Sequence, residues 1–199
     1  MILFSIQAIF QVMIFFTKSH TKPLFISAFI SVGIAALSYN FLSRDIFSYI
    51  FSAKIFAIYH QNPYVVTTEA FRNVDWWVSF VHWTHNTYQY GPIYLLYSSF
   101  PYIIFGANRF ISIFFTLKML NGICFILSGL FLYKIKKNDA SVFAIWFFNP
   151  FLYIELLVNG HNEILMLFLF YCAVYLIKVN KKVLGITSFI LSIATKYVS

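Results

Sequence analysis

Long apolar runs separated by short basic turns constrain this chain more than any motif does. From Leu24 to Leu42, Arg109 to Tyr133, Ala140 to Val158, Ile164 to Ile177 and Val183 to Tyr197 few charged side chains intervene. In lipid every backbone amide must be satisfied internally, so only helices or closed barrels cross, and a helix needs about 20 apolar residues to do so. Uninterrupted runs exclude the barrel. The expected fold is an all-α polytopic membrane protein, residues 1–199 forming a single transmembrane domain. Ile2 to Thr17 is short for a span and reads either as a further crossing or as a helix along the inner surface. It lacks the basic start and small-residue cleavage site of a secretory signal. Composition agrees with the membrane class, with 61% hydrophobic, 22% aromatic and only 10% charged residues.

The net charge of +8 does not point to nucleic acid, because the lysines cluster between apolar runs rather than along one helical face. Lys18 and Lys22, then Lys134, Lys136 and Lys137, then Lys178, Lys181 and Lys182 form three basic loops. The positive-inside rule assigns these to the cytoplasm. Asp45, the Asn159–Glu163 segment and Lys196-Tyr197 then emerge outside, and residues 43–108 form one large external loop. Within it Ile93 to Phe105 is too short to span, at about 20 Å, and is interrupted by Pro101. It is expected to lie in the outer interface as an in-plane or re-entrant helix starting at Pro92. Trp76, Trp77 and Trp83 suit amphipathic helices at headgroup depth. Lys118, inside an apolar run, is expected to snorkel to the headgroups. Cys124 and Cys172 also lie in apolar runs, and no disulfide is expected.

An ionisable group near lipid is costly enough to be a functional candidate. Asp45, beside Arg44, reads either as a solvated helix-end charge or as a base that takes a proton from an alcohol at the water–lipid boundary. Glu155, Asn159 and Asn162 stand at i, i+4 and i+7, so they can share a helix face, and Asn149-Pro150 bends the same run. A polar seam between helices accounts for Glu155 and Asn149. It accounts less well for the abrupt cluster Asn159, His161, Asn162 and Glu163. Lys196, with Tyr197 beside it, offers a point charge to a lipid phosphate. His82 and His85, without an identifiable third ligand, read as interfacial side chains, so no metal site is expected. Without a glycine-rich phosphate loop, no nucleotide cofactor is expected either.

The ordered series D-I-F-S-Y, N-P-Y, Y-G-P, N-P-F-L-Y-I-E-L-L-V-N-G-H-N-E and T-K-Y resembles the amino-terminal half of polyprenol-phosphate-mannose-dependent mannosyltransferases of bacterial envelopes, within the GT-C glycosyltransferase superfamily. The likeness covers roughly Ser43 to Tyr197. It implies a GT-C-like helical bundle, a plasma-membrane location and an active site facing the exterior. It also implies transfer of a hexose, mannose above all, from a polyprenyl-phosphate sugar to a glycan or glycolipid acceptor, with inversion. On this resemblance Asp45 is the catalytic aspartate. Lys196, His161, Asn162 and Tyr197 lie near the donor phosphate, with Asn149, Glu155, Asn159, Glu163 and Tyr90 as supporting polar groups. The family usually carries Asp after H-N, where this chain has Glu163. Members carry further spans, so the chain is expected to be a partial module, or one half completed by a second chain. Two other readings are a carrier that moves lipid-linked sugars and an inactive membrane scaffold.

Overall fold

The computed structural model describes residues 21–40 and 42–196; Ile2 to Thr17 and Tyr197 lie outside them. The described residues form an all-helical chain. The longest helix, α4 (Phe110–Ile135), has 26 residues and is the one described helix that alone is long and apolar enough to cross a membrane. At 1.5 Å per residue it reaches about 39 Å. Around it pack α1 (Thr21–Leu37), α3 (Pro92–Phe105), α5 (Ala140–Phe148) and α7 (Glu163–Lys178), while α8 (Lys182–Ile193) lies along α7.

The run expected as one span from Ala140 to Val158 is two helices, α5 and α6 (Pro150–Val158), bent by 49°. Proline cannot donate to the preceding turn. The Asn149 carboxamide uses the break by accepting from the amides of Phe151 at 3.0 Å and Leu152 at 3.3 Å, which caps α6. The second part of α6, Tyr153–Val158, is π-helical.

Several sequence expectations need correcting. The first helix stops at Leu37, short of Leu42, and Asp45 opens a new helix, α2 (Asp45–Ala57). Helix α2 is not an amphipathic helix at a surface, since most of its side chains are buried. It packs on α3, and the rings of Phe47, Phe80, Phe110 and Phe114 stack between it and α4. Trp77 is core, while Trp76 and Trp83 are exposed. Pro101 does not interrupt α3, which runs on to Phe105 with the proline buried. Residues 43–108 therefore share one continuous core with the rest of the bundle.

One end of the bundle is basic. Lys178 at the end of α7 donates to the carbonyl of Ile135 at the end of α4. The loop of Lys181 and Lys182 follows directly, and Lys134, Lys136 and Lys137 adjoin it. Glu163 opens the same helix α7 fifteen positions before Lys178, about 22 Å along its axis.

Candidate active site

Helix α2 begins with its carboxylate. The Asp45 amide donates to Ser43 Oγ at 3.2 Å, and the side chain sits where the partial positive charge of a helix start favours an anion. Opposite it the wide π-turn of α6 carries Glu155. That turn closes with the Asn159 amide on the Ile154 carbonyl at 2.8 Å and the His161 amide on the Glu155 carbonyl at 3.2 Å. Extra-wide turns of this kind re-aim side chains. Gly160 then takes φ +69°, a left-handed conformation that glycine adopts without steric cost, and the chain reverses into α7 with His161 facing the carboxylates.

His161 is the hub. Its Nδ1 lies 3.8 Å from Asp45 Oδ2 and 3.8 Å from Glu163 Oε2, and its Nε2 lies 3.3 Å from Glu155 Oε2. Lys196 Nζ completes the chain at 2.5 Å from Glu163 Oε1. Lys196 lies beyond the last residue of α8, Ile193, and not within a helix as the apolar run suggested.

The Tyr90-Gly91-Pro92 patch brings Lys196 here. The Gly91 amide donates to the Thr195 carbonyl at 3.0 Å and the Ile93 amide to the Ala194 carbonyl at 3.3 Å. A Cβ on Gly91 would meet the Ala194 oxygen at 2.0 Å, so only glycine permits this approach. Tyr90 turns its ring edge-on to Tyr49 at 5.0 Å. Burial raises its phenol above the ordinary range, the hydrogen bond with Tyr49 works against this, and the Asp45 charge adds to the rise.

The reversing turn is held from behind. Lys118 is buried at 1% exposure, which replaces the expected snorkelling. It donates to the Val158 carbonyl at 2.8 Å and to Asn40 Oδ1 at 3.3 Å. Asn40 in turn donates to the Asn159 carbonyl. Asn121 Nδ2 reaches the Gly160 carbonyl at 3.4 Å, and Tyr97 donates to Asn121 Oδ1 at 2.9 Å. Three successive carbonyls just before His161 are thereby fixed by side chains. The backbone of the turn is left with little freedom.

Of the predicted residues, Asp45, Glu155, His161, Glu163 and Lys196 come together, with Tyr90 beside them. Asn159 and Asn162 are buried under the turn; Asn159 Nδ2 reaches Glu155 Oε2 at 3.5 Å. Asn149 stands apart as the cap of α6. Sequence reasoning missed Asn40, Asn121 and the bracing role of Lys118. The signal available for them was a lone polar residue in an apolar run.

A cavity of about 310 Å³ is lined in part by Asp45 and Tyr90, while His161, Glu163 and Lys196 do not line it. One wall is a single face of α2, with Asp45, Ser48 and Ser52 at i, i+3 and i+7; Trp83, Asn86 and Gln89 stand across it. Among the described residues no three His, Cys, Asp or Glu side chains are disposed to hold a metal ion.

Three carboxylates, an imidazole and an ammonium thus meet beside a polar cavity. The family model of the alpha-(1->6)-mannopyranosyltransferase N-terminal domain matches residues 23–199, nearly the whole sequence, and the chain belongs to that family. The resemblance read from its ordered motifs is thereby borne out. Comparison with curated proteins gives no match, and neither does comparison with solved structures.

Proposed function

We propose that the protein carries the catalytic half of a membrane mannosyltransferase that takes mannose from a polyprenyl-phosphate donor at the outer face of the plasma membrane. The reading rests on one observation: a carboxylate, Asp45, lines a polar cavity and is linked through His161 and Glu163 to a lysine that does not line it. In-line displacement needs a base beside the acceptor hydroxyl and a cation beside the leaving phosphate.

Asp45 takes the proton of an acceptor hydroxyl as its oxygen attacks the anomeric carbon of the mannose. The bond from that carbon to the phosphate oxygen breaks, its electron pair stays on the polyprenyl phosphate, and the configuration inverts. Lys196 and His161 stabilise the growing phosphate charge, most strongly where water is thin. Lys196 would exchange its bond to Glu163 for one to the phosphate. Glu155 orients the imidazole from Nε2.

A multi-pass arrangement is supported by the outward side chains Ile26, Ile30 and Ile34 on α1 and Val183, Ile186 and Ile190 on α8, all more than half exposed. Water would disfavour apolar strips of this kind and lipid would not. The basic end of the bundle, one helix length from the acidic cluster, fits a cytoplasmic face opposite an external site.

The test is Asp45→Asn in the complete protein, assayed in membranes with radiolabelled polyprenyl-phosphate mannose. Transfer falls by about a hundredfold or more, while membrane insertion, read by protease protection, is unchanged. Wild-type turnover in the variant would remove the base assignment.

A further inference from the structure

We propose that the cavity beside Asp45 is the subsite for a neutral saccharide acceptor, with Trp83 as its stacking platform. This rests on the transfer reading above and names the second substrate's chemistry and the residues that hold it.

Charge comes first. Among the described residues Asp45 is the only carboxylate lining the cavity, and no lysine, arginine or histidine lines it. A phosphate or carboxylate ligand would meet a like charge with no cation to offset it, so the lining disfavours an anion. Lys196 and His161, the cations of the cluster, do not line it.

Hydrogen bonding comes second. Hydroxyls and carboxamides both donate and accept. Ser48, Ser52, Thr68, Asn86 and Gln89 thus offer the mixed lining that a polyhydroxylated ring matches and a hydrocarbon does not. Ser48 Oγ and Tyr88 Oη, on two residues of the wall, are buried without a hydrogen-bond partner among the described residues. A buried hydroxyl in that condition is costly, and both are closed off from the cavity's own surface, so the exposed lining groups are the ones a sugar meets.

Shape comes third. Trp83 is 50% exposed, so it presents a flat apolar surface at the rim. The C–H face of a hexose can lie on such a ring. At about 310 Å³ the cavity falls at the lower end of the range of ligand sites, about 300–1,000 Å³. That suits the end of a glycan rather than a long stretch of one. A hydroxyl of the terminal residue held there would meet the Asp45 carboxylate on the cavity wall.

The experiment measures binding apart from turnover. The complete protein in nanodiscs is titrated with an α-1,6-linked mannotriose, followed by saturation-transfer NMR, for wild type, Trp83→Ala, Trp83→Phe and Gln89→Ala. Mannotriose binds the wild type, Trp83→Ala weakens it by about tenfold or more, Trp83→Phe keeps most of the affinity, and Gln89→Ala is intermediate. In transfer assays the acceptor KM rises in Trp83→Ala and the donor KM does not. Mannotriose that does not bind wild type, or that binds Trp83→Ala and Gln89→Ala as well as wild type, overturns the subsite. A normal acceptor KM in Trp83→Ala overturns it while leaving the transfer reading in place. Binding that depends on Trp83 in a protein with no transferase activity keeps the subsite and removes the transfer reading. Gln89 is exposed, so its variant reports even if Trp83→Ala fails to fold.

Discussion

Two charged clusters lie at the two ends of helix α2, and they are built on opposite plans. At the far end Lys54 and Asp75 form a sealed pair at 2.6 Å, with side chains only 6% and 4% exposed. Asp75 also accepts from Tyr59 Oη at 2.9 Å and from the Trp77 amide at 3.0 Å, and Lys54 lies 3.5 Å over the Trp77 ring. Burial and the bond to Asp75 push the Tyr59 phenol up to about 12. At the near end Asp45, Glu155, Glu163, His161 and Lys196 are 23–36% exposed, with more acids than bases. The first cluster is saturated and its groups are used up in holding the loop together. The second keeps exposed charge that an incoming molecule can use. Charge number alone does not mark an active site; unsatisfied, accessible charge does.

The sharpest way to break this contrast is Lys54→Met. It leaves the Asp75 carboxylate buried and unpaired, which costs about 3–5 kcal/mol, read as a fall in the unfolding midpoint in detergent. Lys54→Met with Asp75→Leu should recover only part of the loss, because the unpaired charge goes but Tyr59 Oη and the Trp77 amide lose their acceptor. A single variant as stable as wild type would show that the pair is not sealed.

Lys118→Met is expected to have a smaller effect. It takes the donor from the Val158 carbonyl and Asn40, at about 1–3 kcal/mol for groups left buried without a partner. Because it loosens the turn that carries His161, it should lower kcat while leaving the acceptor KM alone. A shifted KM with unchanged kcat would mean that the brace serves the cavity instead.

The smallest effect belongs to the exposed Glu69–Arg72 pair. The Arg72 hydrogen bond holds the Glu69 carboxyl down at about 2. A depressed carboxyl adds stability that is present above its unfolded value and is lost as pH falls through its folded one. Glu69→Gln should therefore differ slightly from wild type at neutral pH. That gap should close as pH drops from the ordinary carboxylate range to about 2, as followed by melts across acid pH. A gap that widens on acidification would contradict the pairing.

Much of the near cluster was legible in the sequence, because charges stranded in apolar runs are conspicuous there. Asp45, Glu155, His161, Glu163 and Lys196 stand out against their neighbours, and the helices pack so that all five meet. The far cluster was not legible. Lys54 sits in D-I-F-S-Y-I-F-S-A-K-I-F-A, where Asp45, Ser48 and Ser52 share one polar face, so the pattern reads as amphipathic and gives no hint that α2 is a core helix. Its partner Asp75 comes 21 positions later, across a loop whose path only tertiary packing determines. Lys118 misled for a related reason. A lysine's long stem can reach the lipid surface or a carbonyl, and the Val158 acceptor that decides the matter lies 40 residues away. The break at Asn149-Pro150 was visible as a proline bend. The π-turn that follows was not, since Tyr153–Val158 carries no residue type that distinguishes it from an ordinary helical turn.

The close seam at Gly91 has a bearing on biosynthesis. The backbone bonds from Gly91 and Ile93 to Thr195 and Ala194 join segments about a hundred residues apart, and long-range closures of this sort come late in folding. While the ribosome is still making the middle of the chain, the aspartate and the tyrosine patch are already present but have no lysine beside them. The cluster of Asp45, Glu155, His161, Glu163 and Lys196 is thus complete only once the segment after α8 has docked on the tyrosine patch.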